Sequence, residues 1–225
     1  MITDKSIKEF LSIVDLKNVY YATDADKSLV RLYSACDDKV IQDDLIDNMW
    51  DYINLKLPSI SNNYSGTPIK ILHTNGGQGK VIEKCPNNSI ITSYHKDYIC
   101  KQISDLLNQH RTAGANISYQ SCVFDIAHYF INGNNGNTPK YDVAIHQVVN
   151  SDYHNSLDYS ENEEIYYPLR ALEFLVKGGY ICIYCGNKDL NKIKSNVEIS
   201  KKTTIDKVLH TTHLASYNCL ILKKN

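Results

Sequence analysis

The side chains and backbone positions able to do chemistry are few in this chain, and each has a spacing that can be read. The loop His73-Thr74-Asn75-Gly76-Gly77-Gln78-Gly79 follows a short apolar run, Ile69-Lys70-Ile71-Leu72. Glycines at the end of a strand let a ligand approach the backbone closely, and a following helix adds amide donors. Taken alone, Gly77-x-Gly79 is more often a simple tight turn. Cys182-x-x-Cys185 has the spacing of half a zinc site or of a redox pair. Residues three apart on a strand point to opposite faces, however, and no second cysteine pair exists, so this segment reads as a core strand. His210-x-x-His213 has neither metal-binding helix spacing nor a partner motif and reads as turn chemistry; no metal site is expected. Lys188, Lys192, Lys194, Lys201, Lys202 and Lys207 form a basic cluster, read as the solvated face of a loop. Asp152, Asp158, Glu161, Glu163 and Glu164 form an acidic stretch that repels phosphates.

Positioning these groups requires a core, and 225 residues with 43% apolar and 22% charged side chains can supply one. A disordered or fibrous protein is excluded. Formal net charge is -1, which removes the global basic excess of an avid nucleic-acid coat but leaves a local basic patch open. The seven cysteines are scattered and several sit inside apolar runs, the pattern of reduced thiols rather than of a disulfide framework. Met1-Ile2-Thr3-Asp4-Lys5 lacks a basic region followed by an apolar run and no stretch nears the ~18 apolar residues of a membrane span, so no signal peptide and a cytoplasmic protein are expected.

Two regions follow from periodicity. Residues 1–57 read as a helical extension, with Ile7, Phe10, Leu11 and Val14 at helical spacing and a longer run from Val40 through Leu45, Met49, Trp50 and Ile53. Residues 58–225 alternate strands with helices. Strands are expected at 69–72, 89–94, 117–120, 141–146 and 180–184, with helices at 97–109, through Ile126 and Phe130, and at 163–176. Two more strands close the pattern at 207–209 and 217–223. Such alternation gives an α/β fold with a parallel sheet covered on both faces.

The order of elements resembles the class I S-adenosylmethionine-dependent methyltransferases, and most nearly the adenine-N6 DNA methyltransferases of restriction-modification systems. Residues 71–80 match the Gly-rich first-strand motif, 90–97 the second-strand motif, 141–150 the F-D-x-x-x-x-N-P-P-Y motif and 172–183 the late L-x-x-G-G strand. The resemblance covers about residues 40–225. It implies a Rossmann-like sheet of seven strands with the last pair antiparallel. It also places cofactor contacts at His73, Gly77, Gly79, His95 and Cys122, and catalytic positions at Gln147, Val148, Asn150 and Tyr153.

Those positions depart from the family in chemistry. His73 and His95 stand where the family has acidic residues, and a neutral imidazole has one acceptor where a carboxylate can hold two ribose hydroxyls. Cys122, a poor acceptor, stands at the adenine contact; Asp97 and Asp125 are alternative carboxylates a few residues away. In the family an Asn side chain and a Pro carbonyl accept from the target amine while an aromatic ring stacks on the flipped base. Gln147 keeps an amide and Val148 a carbonyl, Asn150 cannot stack, and Tyr153 is the one nearby ring. The resemblance therefore implies a methyltransferase-like, non-catalytic binding or assembly protein that takes S-adenosylmethionine weakly or not at all. The alternative is an active, divergent methyltransferase acting on adenine in nucleic acid. A protein partner or homo-oligomer contacting residues 1–57 is expected; nucleic acid stays open as a partner.

Overall fold

The computed structural model describes residues 43–57, 67–74, 85–95, 101, 105, 117–123, 140–148, 163–211 and 217–225. The elements begin with α1 (Asp43–Lys56), β1 (Ile69–Thr74), β2 (Ser89–His95), β3 (Ile117–Val123) and β4 (Tyr141–Gln147). They continue with α2 (Glu163–Phe174), β5 (Leu175–Gly186), α3 (Asn187–Ser195), α4 (Val197–Lys202), β6 (Thr203–His210) and β7 (Tyr217–Lys224). Seven strands form one sheet in the order β3-β2-β1-β4-β5-β7-β6. Neighbours from β3 to β5 are parallel, and β7 runs antiparallel to both β5 and β6. This is the α/β sheet that the alternation of elements implies, with β7 threaded between β5 and β6.

Alternation along the central strands produces two apolar layers. Ile69, Ile71, Val143, Ile145, Cys182, Tyr184, Cys219 and Ile221 join Leu45, Ile46, Met49, Trp50 and Ile53 of α1 on one face. Leu72, Ala144, Ile181, Ile183, Leu220 and Leu222 join Tyr167, Ala171 and Leu172 of α2, Leu190 and Ile193 of α3, and Ile199 of α4 on the other. The three apolar residues Met49, Trp50 and Ile53 are thus core residues, each worth about 1.5–3 kcal/mol in burial, and are closed to a partner. Cys182 and Cys185 fall in opposite layers, as the strand reading requires. Burial pushes the Cys185 thiol up to about 12 and the Cys85 thiol up to about 11.

Alpha1 is pinned to the sheet by an edge irregularity. The β6–β7 register shifts between Ile205 and Lys207, leaving Asp206 as the extra residue of a bulge. Its carboxylate accepts from the Tyr52 hydroxyl at 2.7 Å and lies 3.8 Å from Lys56 Nζ.

Two readings are corrected in detail. The basic run after β5 is helical: Lys188, Lys192 and Lys194 lie on α3, Lys201 and Lys202 on α4, and Lys207 on β6. With only Leu190, Ile193 and Ile199 facing the core, its periodicity is too sparse to see. Helix α2 ends at Phe174 and the chain passes directly into β5, so Gly178-Gly179 lies inside the strand region. There the β4–β5 register shifts between Tyr141 and Val143 while β5 advances from Leu175 to Tyr180. The extra residues are accommodated by Gly178 at φ 77°. The readings at 7–14, 97–109 and 126–130 fall outside the described residues except for Lys101 and Asp105, which are helical and paired at 2.5 Å.

A Cβ on Gly179 would stand 2.9 Å from the Asp142 carbonyl oxygen and 3.0 Å from that of Val176. Gly179→Ala is expected to cost about 1–3 kcal/mol in urea unfolding. Gly186→Ala, whose Cβ would meet only a side-chain oxygen at 3.9 Å, should cost less than about 1 kcal/mol and serves as the control.

Candidate functional site

In an open parallel sheet, ligands bind beyond the carboxyl ends of the strands where the strand order reverses. Here that point lies between β1 and β4. Residue register brings five of the sequence-marked positions to this edge. His73 is the fifth residue of β1, joined in register to Ser93 of β2 and Ile145 of β4. His95 is the last residue of β2, and Cys122 is the penultimate residue of β3, opposite Tyr94. Gln147 ends β4 and Val148 follows it. Gly77, Gly79, Asn150 and Tyr153, with Asp97 and Asp125, lie outside the described residues.

The side chains at this edge are largely buried. His73 is 1% exposed, and strand alternation sets it on the face of Ile69 and Ile71. Beside it, on the opposite face, sits a cluster that sequence reading did not single out. His146 is buried, its Nδ1 lies 2.8 Å from Thr74 Oγ1, and its ring stacks on Tyr167 at 5.4 Å and 16°. Thr74 Oγ1 also donates to the Ile145 carbonyl at 3.3 Å. These contacts tie the ends of β1 and β4 to α2. The signal that could have found them is the pair of polar residues, Thr74 and His146, near the carboxyl ends of two strands whose middles are apolar.

Val148 is the most informative residue. Its amide donates to the Tyr184 carbonyl at 2.8 Å, continuing the β4–β5 ladder past the end of β4. Its carbonyl accepts from the Tyr217 hydroxyl at 2.9 Å, and both residues are buried. One step further along the edge, Asn218 is buried and donates to Asn187 Oδ1 at 2.9 Å. Its Oδ1 lies 2.5 Å from His210 Nδ1. Polar groups at the β5, β6 and β7 ends are therefore engaged with one another. Among the described residues no group of three His, Cys, Asp or Glu side chains is placed to hold a metal, and no helix is long and apolar enough to cross a membrane.

No protein-family model matches the chain, and no curated protein matches it in sequence. Solved structures do match in fold. A Klebsiella pneumoniae protein assigned as an O-methyltransferase aligns over 97% of this chain and 96% of its own, at 10% identity and a TM-score of 0.56. A Listeria monocytogenes protein assigned as a class I S-adenosylmethionine-dependent methyltransferase aligns over 99% and 69%, at 12% identity and 0.53. A Streptococcus mutans protein assigned as S-adenosylmethionine-dependent aligns over 77% of this chain, at 14% identity and 0.53. The chain spans 48% of that protein's length. The fold is the Rossmann-like one of the class I methyltransferases.

The donor set tests whether S-adenosylmethionine suits this edge. Among the described residues, β1 to β4 end in His73-Thr74, His95, Val123 and Gln147, none of them a carboxylate. A carboxylate can accept from both hydroxyls of a ribose diol, whereas a neutral imidazole has one acceptor nitrogen. The Gly77–Gly79 loop, Asp97 and Asp125, which the resemblance places nearest the cofactor, lie outside the described residues.

Tyr217→Phe removes one hydroxyl and strands the buried Val148 carbonyl. A loss of about 1–2 kcal/mol in urea unfolding is expected, with the denaturant slope unchanged. A change below about 0.3 kcal/mol would show that this bond does not hold β7 to the end of β4.

Proposed function

We propose that this chain is a methyltransferase-fold protein that acts by binding and not by methyl transfer. The observation that carries the reading is the Tyr217–Val148 bond. In the adenine-N6 methyltransferases that the sequence resembles, the backbone carbonyl at this point of the motif accepts from the target amine. Here a buried tyrosine hydroxyl from β7 already donates to it at 2.9 Å. The imidazoles at the β1 and β2 ends support the same reading, because the ribose contact loses its carboxylate. A protein partner or a second copy of the chain accords with a fold kept without its chemistry.

A second reading has one observation in its favour. Gln147 ends β4 with an amide side chain on the face of Val143 and Ile145, one methylene longer than the family's Asn. An active enzyme acting on adenine in nucleic acid would use that amide as its acceptor.

Calorimetry separates the two. Losing a charge-assisted ribose contact costs about 1.5–3 kcal/mol, so S-adenosylmethionine should bind with a Kd above ~100 µM. Micromolar binding, or transfer of a labelled methyl group to an adenine-containing duplex, would overturn the proposal. His95→Glu restores the carboxylate at the end of β2. It is expected to tighten cofactor binding by about tenfold while leaving methyl transfer undetectable.

A further inference from the structure

The edge opposite the candidate site carries a pattern independent of it. Five adjacent strands each bring a lysine to their ends there. Lys70 is the second residue of β1, Lys140 immediately precedes β4, and Lys177 lies near the start of β5. Lys223 and Lys224 end the antiparallel β7, and Lys202 immediately precedes β6. The register confirms one edge: Lys223 pairs with both Tyr180 and Thr204, and Lys224 pairs with Thr203. Lys70, Lys140, Lys177 and Lys202 are exposed. Among the described residues the acids near these lysines are Asp142 and Glu173. Asp142 accepts from the Lys70 amide at 2.9 Å, and Glu173 is approached by Arg170 at 3.3 Å.

We infer that this lysine row is a binding track for the phosphate backbone of a nucleic-acid duplex. Strands stand about 4.8 Å apart, so the four steps from β1 to β6 make a row about 20 Å long. One strand of a duplex presents a phosphate every ~3.4 Å, so the row matches about six consecutive phosphates. Two of the cations are fixed in place. Lys140 Nζ donates to the Glu173 carbonyl at 2.9 Å, and Lys224 Nζ to the Leu172 and Leu175 carbonyls at 2.7 Å each. These ammonium groups satisfy carbonyls at the end of α2. Burial, followed by the nearby Lys140, lowers the Lys224 ammonium from its ordinary value; the Glu173 carboxylate partly offsets this and Lys202 adds to it, so Lys140 and Lys202 lie close enough to Lys224 to repel it. A polyanion relieves that repulsion.

A duplex fits better than a single strand. Single-strand binders rely on exposed aromatic platforms, whereas Tyr141, Phe174 and Tyr180 near this edge are all buried. Among the described residues the row holds lysines, point charges without the planar fork of arginine, so it grips backbone and reads no bases. This inference stands whether or not the opposite edge binds S-adenosylmethionine.

The test is fluorescence anisotropy of the full chain with a labelled 20-base-pair DNA duplex at ~50 mM salt and upward. Wild type should bind with a sequence-independent Kd and a log–log salt dependence of several charges. Lys70→Glu with Lys177→Glu should weaken binding at least tenfold and reduce the salt slope by about 2. Lys70→Gln with Lys177→Gln should lose less, in the same direction. Lys188→Glu with Lys207→Glu, equal in charge but away from the row, should stay within about twofold of wild type. Circular dichroism checks each fold. The inference is overturned by no wild-type binding at ~50 mM salt, or by equal losses in the row and control variants. Tighter binding of the single strand, or displacement of the duplex by polyglutamate at equal charge, overturns it as well.

Discussion

Val143, Ile145, Cys182 and Tyr184 lie under one apolar layer while Ala144, Ile181, Ile183 and Cys185 lie under the other, leaving the middle of β4 and β5 no face on which a polar side chain can reach water. Parallel strands covered on both sides read as nearly continuous apolar runs. The consequence is spatial. Chemistry is driven to the two ends of the strands, lysines at one and the His73, His146 and Gln147 group at the other. Two hydroxyls that enter the interior are engaged there, Thr74 with His146 and Tyr217 with the Val148 carbonyl.

The two edges therefore differ in kind. At the carboxyl edge, buried side chains are spent on holding strands to each other and to α2. At the amino edge, the long stems of Lys140 and Lys224 reach over the end of α2 and leave charge at the surface. A structural role and a binding role coexist there, because an ammonium that caps helix carbonyls still attracts anions.

Much of this was legible from sequence because burial on both faces is a strong signal. Ile69 to Leu72, Tyr141 to His146 and Tyr180 to Tyr184 stand out as strands, and the Cys182/Cys185 pair was readable as core from the two-residue period alone. The helices at 187–202 were not legible, since three buried residues in a lysine-rich stretch make no stripe. The passage from α2 into β5 at Leu175 was hidden by the two glycines, which ordinarily mark a helix stop but here absorb a register shift. At the candidate site, residue types were readable and partners were not. The Val148 carbonyl meets a hydroxyl 69 positions away, a pairing that only the placement of β7 beside β5 creates. The buried His146–Tyr167 stack was missed for the same reason: each residue is unremarkable until the sheet and α2 bring them together.

The threading of β7 between β5 and β6 sets an order on assembly. Beta5 leaves the ribosome about 30 residues before its neighbour exists, and β6 emerges ahead of β7 with no strand to pair with. At about 5–20 residues per second, the apolar edge formed by Ile181 and Ile183 waits roughly 2–6 s for Leu220 and Leu222 to arrive. During that interval the half-built sheet presents an open strand edge of the kind that templates self-association. The speed of translation through residues 187–216 thus sets how long that edge stays open, a kinetic vulnerability that the finished sheet, with β7 seated between β5 and β6, does not display.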